Sequence, residues 1–387
     1  MTDLEMDVFP AKLGLQQRVL PAYRSLFLNA LAEACQGGLS VFAGQPRRDE
    51  SIVSASLPLK AEVFQARNWH IGRVHSSMYL CWQWGILRWL NDWQPDALVV
   101  EANPRNLSTW LAIRWMHARQ RPVIGWGLGA PPITGRIRSL RQWERASFLS
   151  QLDAVIAYSQ RGAQQYRQIG IVAEKVFVAT NAVAARPASP LPQRAEQFSG
   201  RPVVLFVGRL QMRKRIDLLL QACSDLPEEI HPELVIVGDG PALPELERQA
   251  ASIYPQAKFV GAHYGTELQP YYRQADLFVL PGTGGLAVQE AMAYGLPVIV
   301  AEGDGTQSDL VRPANGWLIP GDDLTALTAA LKEALSDPHR LRRMGLASYS
   351  IVANEVNIEV MVREFLKALR YVTGMEWEVT TRCDVPD

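Results

Sequence analysis

The 387-residue chain is poor in cysteine, with only Cys35, Cys81, Cys223 and Cys383, widely spaced and without a Cys-x-x-Cys pair. That spacing argues against a thiolate metal site and against a disulfide framework, and it fits a reducing compartment. The six histidines (His70, His75, His117, His231, His263 and His339) lack metal-ligand spacing too, so no metal is expected. Every apolar run is broken by Arg, Pro, Gly or Glu within about 18 residues, too short to span a bilayer as a helix. The acidic opening, Met-Thr-Asp-Leu-Glu-Met-Asp, lacks a secretory pattern. The expected location is cytoplasmic, or peripheral on the inner face of a membrane. Internal repeats and low-complexity blocks are absent.

Net charge is also missing, with 39 basic and 39 acidic residues, but the balance is uneven. Residues 1–185 hold 20 Lys and Arg against 13 Asp and Glu, and the remainder carries the opposite surplus. The asymmetry suits an anionic partner for the first half, and equally a solvated surface.

What is present is a chain long enough for two domains of ordinary globular composition. Short apolar runs alternate with helical patterns, which predicts mostly parallel sheets with crossover helices. In the first half the strands fall at Gln17–Leu20, Leu39–Phe42, Ala97–Val100, Val123–Gly125, Ala154–Ala157 and Lys175–Val178. Helical stretches fall at Arg24–Cys35 and Leu107–Arg119. Pro187, Pro190 and Pro192 mark 186–200 as an extended linker. Strands resume at Val203–Val207, Glu233–Val237, Ala257–Phe259, Leu277–Leu280, Pro297–Val300 and Trp317–Ile319. A last helical stretch runs from Val352 to Val372. The resulting division is 1–185, linker 186–200, 201–351, helix 352–374, and a poorly ordered tail 375–387.

Open parallel sheets bind ligands at the carboxyl ends of their strands. After Val207 come Gly208, Arg209, Arg213, Lys214 and Arg215. Two cations on a loop that opens with glycine suit a diphosphate, with Arg binding it bidentately and Lys as a point charge. A solvated basic loop is the other reading. After Val237, Gly238-Asp239-Gly240-Pro241 reads as a strand-to-helix junction, with no chemical role for Asp239. After Leu280, Pro281-Gly282-Thr283-Gly284-Gly285 leads into a helix at Leu286. Free backbone N–H groups at a helix start attract anions, and glycines allow close approach. Glu290 lies about one turn further in, where its carboxylate can accept two hydrogen bonds from vicinal hydroxyls.

Together these motifs resemble the retaining GT-B glycosyltransferases of sequence family 4 (group 1, bacterial). The matching stretches are Val207-Gly208-Arg209-Leu210 with Lys214 and Asp217, then Val237–Pro241, Phe259-Val260-Gly261, Glu290–Ile299 and Asn315–Pro320. Such an order of matches is more specific than any one motif. The resemblance implies two Rossmann-like doubly wound parallel-sheet domains facing a central cleft, with the final helix crossing back onto the first. It implies that Arg209 and Lys214 hold a donor diphosphate, that Gly284, Gly285 and Leu286 offer it backbone N–H groups, and that Gly208 and Thr283 belong to the same donor site. Glu290 would hold the ribose, and the base would stack near Gly261 and His263. Arg209, Lys214 and Glu290 are the expected catalytic set. The donor is a nucleotide-diphosphate sugar used as substrate, with no cofactor, no metal and no nucleic-acid partner. The acceptor would be a glycan, lipid or small molecule in bacterial polysaccharide, glycolipid or natural-product glycosylation. Two other readings are a nucleotide-sugar-binding subunit with weakened catalysis and a nucleotide-sugar epimerase.

The first half resembles the family at Val155–Ser159, at Val178–Val183, and at Gln17–Arg24, which stands where a Gly-rich first loop is usual. Two positions depart from the family pattern. Gly282 stands eight residues before Glu290, where glutamate is common, and Leu128 stands where a histidine is expected. Both bear on how the sugar is held. Acceptor-side candidates are Arg24, Glu101, Arg105 and Leu128. Tyr79, Trp82, Ile86, Trp89, Leu90 and Trp93 fall at helical spacing, which reads as a core-facing helix in preference to a lipid-facing strip beside Arg88. His70 and His75 precede that segment. Arg136 leads into Arg138, Arg141 and Arg145, which share one helical face suited to a polyanionic acceptor, an anionic membrane surface or plain solvent.

Overall fold

The computed structural model describes residues 6–47, 50, 52–55, 59–72, 79–135, 137–187, 190–377 and 379–380. Arg136, His75 and Cys383 lie outside the described residues, as does most of the tail. The chain divides into one unit of Met1–Asn181 with Ile358–Asp387 and a second of Ala182–Asn357. The division points are therefore 181/182 and 357/358, with the whole proline-marked stretch inside the second unit.

Strands β1 (Met6–Asp7) and β16 (Val379–Thr380) pair with each other, so the tail contains one short ladder. The first unit's main sheet comprises β2 (Leu13–Val19), β3 (Leu39–Gly44), β4 (Glu62–Ile71), β5 (Leu80–Trp84), β6 (Ala97–Glu101), β7 (Val123–Gly127), β8 (Ala154–Ala157) and β9 (Val176–Val178). Their order is β5-β4-β3-β2-β6-β7-β8-β9, parallel except for the antiparallel β4–β5 pair. The sequence reading missed β4 and β5, and it started β2 late at Gln17. In β2 the side chains of Gln16 and Gln17 are buried, which defeats an apolar-run search. Gln16 bonds Gln83 (2.5 Å) and accepts from Thr109 (3.0 Å), so the buried amide is satisfied. Tyr79 and Trp82 are not helical: Trp82 lies in β5, and the helix covers only Ile86–Trp93, burying Ile86, Trp89 and Leu90.

The second unit's sheet comprises β10 (Val203–Val207), β11 (Glu233–Val237), β12 (Lys258–Phe259), β13 (Leu277–Leu280), β14 (Val298–Ala301) and β15 (Gly316–Ile319). Their order is β12-β11-β10-β13-β14-β15, all parallel, so the winding direction reverses between β10 and β13. The strands read as continuous Val/Ile/Leu runs because helices cover both faces of such a sheet. Val204, Leu205, Phe206, Phe278 and Ile299 are fully buried.

The predicted helix from Val352 to Val372 is broken. One helix ends at Asn354 and the next runs Ile358–Thr373. Buried Asn357 makes the break, donating through Nδ2 to the carbonyls of Val352 (2.8 Å) and Ala353 (3.1 Å). The final helix belongs to the first unit, where Phe365 packs on Phe27 (4.9 Å) and Trp126 (5.0 Å).

The described residues of 186–200 include no helix or strand, but the stretch is strapped to the second unit. Arg194 donates to the carbonyls of Tyr272 (2.8 Å), Ala275 (2.9 Å) and Tyr294 (2.8 Å). It thereby caps the ends of two helices, Gln269–Gln274 and Leu286–Ala293, where a cation also meets the negative end of each dipole. Burial lowers its pKa to about 10. Arg194→Ala should lower unfolding stability by about 2–3 kcal/mol, since charge-assisted bonds are lost and helix carbonyls are left without a partner. Urea titration of the full chain measures this, and an unchanged midpoint would refute the strapping role.

Candidate functional site

In a doubly wound sheet the ligand crevice lies outside the carboxyl ends of the strands where the winding reverses. In the second unit these are β10 and β13, and the segments that follow them touch. Gly208 donates its N–H to Val237 O (3.0 Å), and Leu210 donates to Asp239 O (2.9 Å), so the loop after β10 is latched to the one after β11. Gly238 must be glycine because a Cβ there would collide with the Gly208 carbonyl oxygen. Gly238 in turn donates to Gly261 O (2.7 Å), which ties the β12 loop into the same row.

Arg209 is exposed at the mouth of this row. A 3-10 turn, Met212–Lys214, then carries the chain to the β13 loop. Lys214 Nζ donates to Thr283 O (2.7 Å), Arg213 Nη1 to Thr283 Oγ1 (2.9 Å), and Thr283 N to Arg213 O (3.1 Å). Arg215 sits in the left-handed region (φ 54°). That conformation costs about 1 kcal/mol for a non-glycine residue. Arg215 is held by ion pairs to Asp217 (3.1 Å) and Asp322. Burial, and then the neighbouring Arg213 charge, lower the Lys214 pKa to about 8.

The helix Leu286–Ala293 begins directly after Gly285. Its first N–H groups have no partner within the helix, so it offers donors and a positive dipole end beside Lys214. Gln307, almost fully buried, braces the turn by donating to Gly284 O (3.0 Å) while accepting from Gly305 N (3.2 Å). No sequence signal marked Gln307. Glu290 lies one turn into the helix and accepts a hydrogen bond from the Tyr272 hydroxyl (2.9 Å). Burial raises its pKa and the Tyr272 bond opposes that shift. Tyr272 stacks on Tyr294 (5.2 Å), which fixes the hydroxyl.

Gly282 has a steric reason. A Cβ at this position would collide with the Arg213 carbonyl oxygen and stand 2.5 Å from the Lys214 carbonyl carbon. The 3-10 turn thus occupies the space that a glutamate at 282 would need. Near Gly261, the His263 ring is held by Tyr271 through a 3.0 Å contact between Nε2 and the hydroxyl. Tyr264 beside it is 77% exposed, an aromatic face that the sequence reading overlooked.

The first-unit candidates are distributed differently. The winding reverses there between β2 and β6. Glu101, at the end of β6, bridges that point by accepting from Arg18 N (2.7 Å) and Asn106 Nδ2 (2.7 Å). Both oxygens are engaged in holding the fold. Arg24 is only 4% exposed, stacked on Trp126 (4.2 Å) and bonded to Asn181 Oδ1 (2.6 Å). It joins the ends of several elements and presents no open guanidinium face. Arg105 is half-buried in the loop after β6, and its carbonyl accepts from Cys81 N (2.9 Å). Leu128 is half-buried, its carbonyl pressed against Gly162 at the start of the helix Gln160–Gln168, which Ser159 caps (3.0 Å). The network Glu50–Arg18 (2.5 Å), with Tyr79 bonded to His70 Nδ1 (2.8 Å), had no sequence signature. Among the described residues, no group of three or more His, Cys, Asp or Glu is placed to hold a metal ion.

Two parallel α/β units, one carrying this loop row, have the GT-B glycosyltransferase fold. Residues 190–350 match the family described as Glycosyl transferases group 1. A GDP-mannose-dependent alpha-(1-6)-phosphatidylinositol monomannoside mannosyltransferase of Mycolicibacterium smegmatis is 32% identical over 38% of this chain and 42% of its own length. A GDP-mannose-dependent alpha-mannosyltransferase of the same organism is 40% identical over 38% of each chain. The matched segments thus span about two fifths of these curated relatives. Among solved structures, a sucrose-phosphate synthase from Thermosynechococcus elongatus superposes with a TM-score of 0.68 at 19% identity, covering 94% of this chain and 99% of its own. HepE of Anabaena in complex with UDP gives 0.68 at 16% identity, covering 93% and 99%. These two likenesses concern the fold.

Proposed function

We propose that the protein is a glycosyltransferase that moves a sugar from a nucleotide-diphosphate sugar to an acceptor hydroxyl. The observation that carries this reading is the convergence of Lys214, Arg213, Thr283 and the Leu286 helix start at the point where the second sheet reverses its winding. Arg209 and Lys214 would bind the diphosphate, with the N–H groups of Gly284, Gly285 and Leu286 closing around it. Glu290, steadied by Tyr272, would accept from the ribose hydroxyls. The base would lie against Gly261, His263 and Tyr264. Curated relatives named for GDP-mannose and solved relatives holding UDP support a nucleotide sugar without fixing the base.

Transfer would proceed with retention and without metal. As the bond between C1 and the diphosphate oxygen breaks, positive charge develops on the sugar and negative charge on the leaving group. Fixed cations and backbone dipoles aimed at that leaving group lower the barrier. The acceptor hydroxyl attacks from the same face and passes its proton to the departing phosphate. A ligand-observed NMR screen of UDP-, GDP-, ADP- and dTDP-sugars, followed by product analysis, tests the reading. Binding with transfer supports it. Binding without turnover makes the chain a nucleotide-sugar-binding subunit, and sugar interconversion makes it an epimerase.

The low Lys214 pKa gives a pH dependence. In the free protein the ammonium is charged below about 8 and is lost as pH rises through that value. A bound diphosphate favours the charged form and raises the pKa. Donor affinity should therefore be flat below pH 8 and fall about tenfold per unit above it, with proton uptake on binding. Calorimetry in buffers of different ionisation enthalpy reads the uptake. An affinity independent of pH up to 9.5 would remove Lys214 from the donor site.

A further inference from the structure

The helix Arg138–Leu149 buries only Phe148 and Leu149. Its first two turns hold large apolar side chains in water, with Leu140 62% and Trp143 69% exposed, and Ile137 just before the helix 42% exposed. Leu140 and Trp143 are three residues apart and share one side. Arg138, Arg141 and Arg145 occupy the opposite side. Arg145 is turned inward to the Pro131 carbonyl (2.7 Å), whereas Arg138 is exposed and Arg141 half-exposed. Within the helix Arg138, Arg141 and Arg145 stand against one acidic residue, Glu144, with no aspartate.

The geometry points to this half-helix as a docking element for an anionic lipid bilayer. Leu140 and Trp143 enter the boundary between headgroups and acyl chains, and the long arms of Arg138 and Arg141 reach the lipid phosphates. Charge complementarity selects lipid over a second copy of the chain, because self-association here would bring arginine-rich surfaces together. The helix starts after β7, at the carboxyl edge of the first sheet, where the acceptor-side candidates also lie. The lipid-facing strip weighed for residues 79–93 is set aside, because Trp89 and Leu90 are buried. The inference rests on the proposed transferase activity only in placing the acceptor at the membrane; docking itself needs no donor.

The test is co-sedimentation of the full chain with vesicles of phosphatidylcholine alone, and with about one third phosphatidylglycerol. Binding is expected only to the anionic vesicles, and it should fall steeply with salt. Arg138→Gln with Arg141→Gln should lower the partition by about 25-fold, roughly fivefold per arginine. Leu140→Ser with Trp143→Ser should lower it about tenfold or more. No binding by the parent chain, or unchanged binding in the arginine pair, overturns the proposal. So does a dimer in sedimentation velocity that the Leu140/Trp143 pair abolishes. Thermal melts check folding, and the exposed arginine pair decides the matter if the apolar pair melts early. Donor binding by NMR in the same samples separates the two readings. Donor binding without vesicle binding overturns docking alone, and the reverse overturns the donor assignment alone.

Discussion

Gly282→Glu should weaken donor binding by at least about tenfold instead of restoring a sugar contact. Glutamate is common at this position in the resembled family, so the substitution looks like a repair. The space is already filled: any Cβ at 282 meets the backbone of Arg213 and Lys214. Relief requires the 3-10 turn to move, and with it the Lys214 and Arg213 bonds to Thr283. Overpacking against backbone costs about 1–3 kcal/mol in stability. The loss of a placed cation adds a drop in donor affinity of at least about tenfold. Gly282→Ala should show most of this effect, since the collision begins at Cβ. Donor titration by NMR or calorimetry checks it. A Gly282→Glu protein that binds donor as tightly as the parent would show that the turn is adaptable and that our steric account is wrong.

Lys214→Ala should lower kcat/KM for transfer by about 10²–10³-fold, the usual effect of removing one fixed group that stabilises charge in the transition state. The loss should fall on kcat more than on KM, because leaving-group charge grows as the bond breaks. Arg209→Glu should be more severe, since reversal places a negative charge against the diphosphate, and transfer should become undetectable. Folding should be little affected by the Arg209 change because that side chain is exposed. Steady-state kinetics against whichever donor the screen selects is the measurement. Unchanged turnover in Arg209→Glu would sink the assignment of this loop.

The second unit was largely legible because most of its strands are short runs rich in Val, Ile and Leu, and β10, β11, β13 and β15 are each followed directly by glycine or proline. The first unit was less so. Strand β2 hides two glutamines, and the side-chain partners of Gln16, Gln83 and Thr109, come from distant parts of the chain. Strands β4 and β5 pair antiparallel at the sheet edge, where Trp69 (58% exposed) and Trp84 (59% exposed) face solvent; neither alternates cleanly, and the spacing of Tyr79 and Trp82 with Ile86 drew β5 into a helical reading. Glu101 read as an acceptor-side candidate because a strand end is where ligands bind. Only the fold brings Arg18 N and Asn106 onto its two oxygens.

By itself the sequence determined the alternation of strands and helices, the glycines that open the loops after β10 and β13, and the cations placed there. Those features are local, since they follow from propensity and from which residues can enter a tight turn. Tertiary structure alone decided three things. It put the loops of β10 and β13 side by side, because the winding reverses between them. It gave Lys214 a pKa near 8 by burying it beside Arg213. It turned Gly282 from an apparent loss into a steric requirement, because the occupant of that space comes from a segment about seventy residues earlier in the chain.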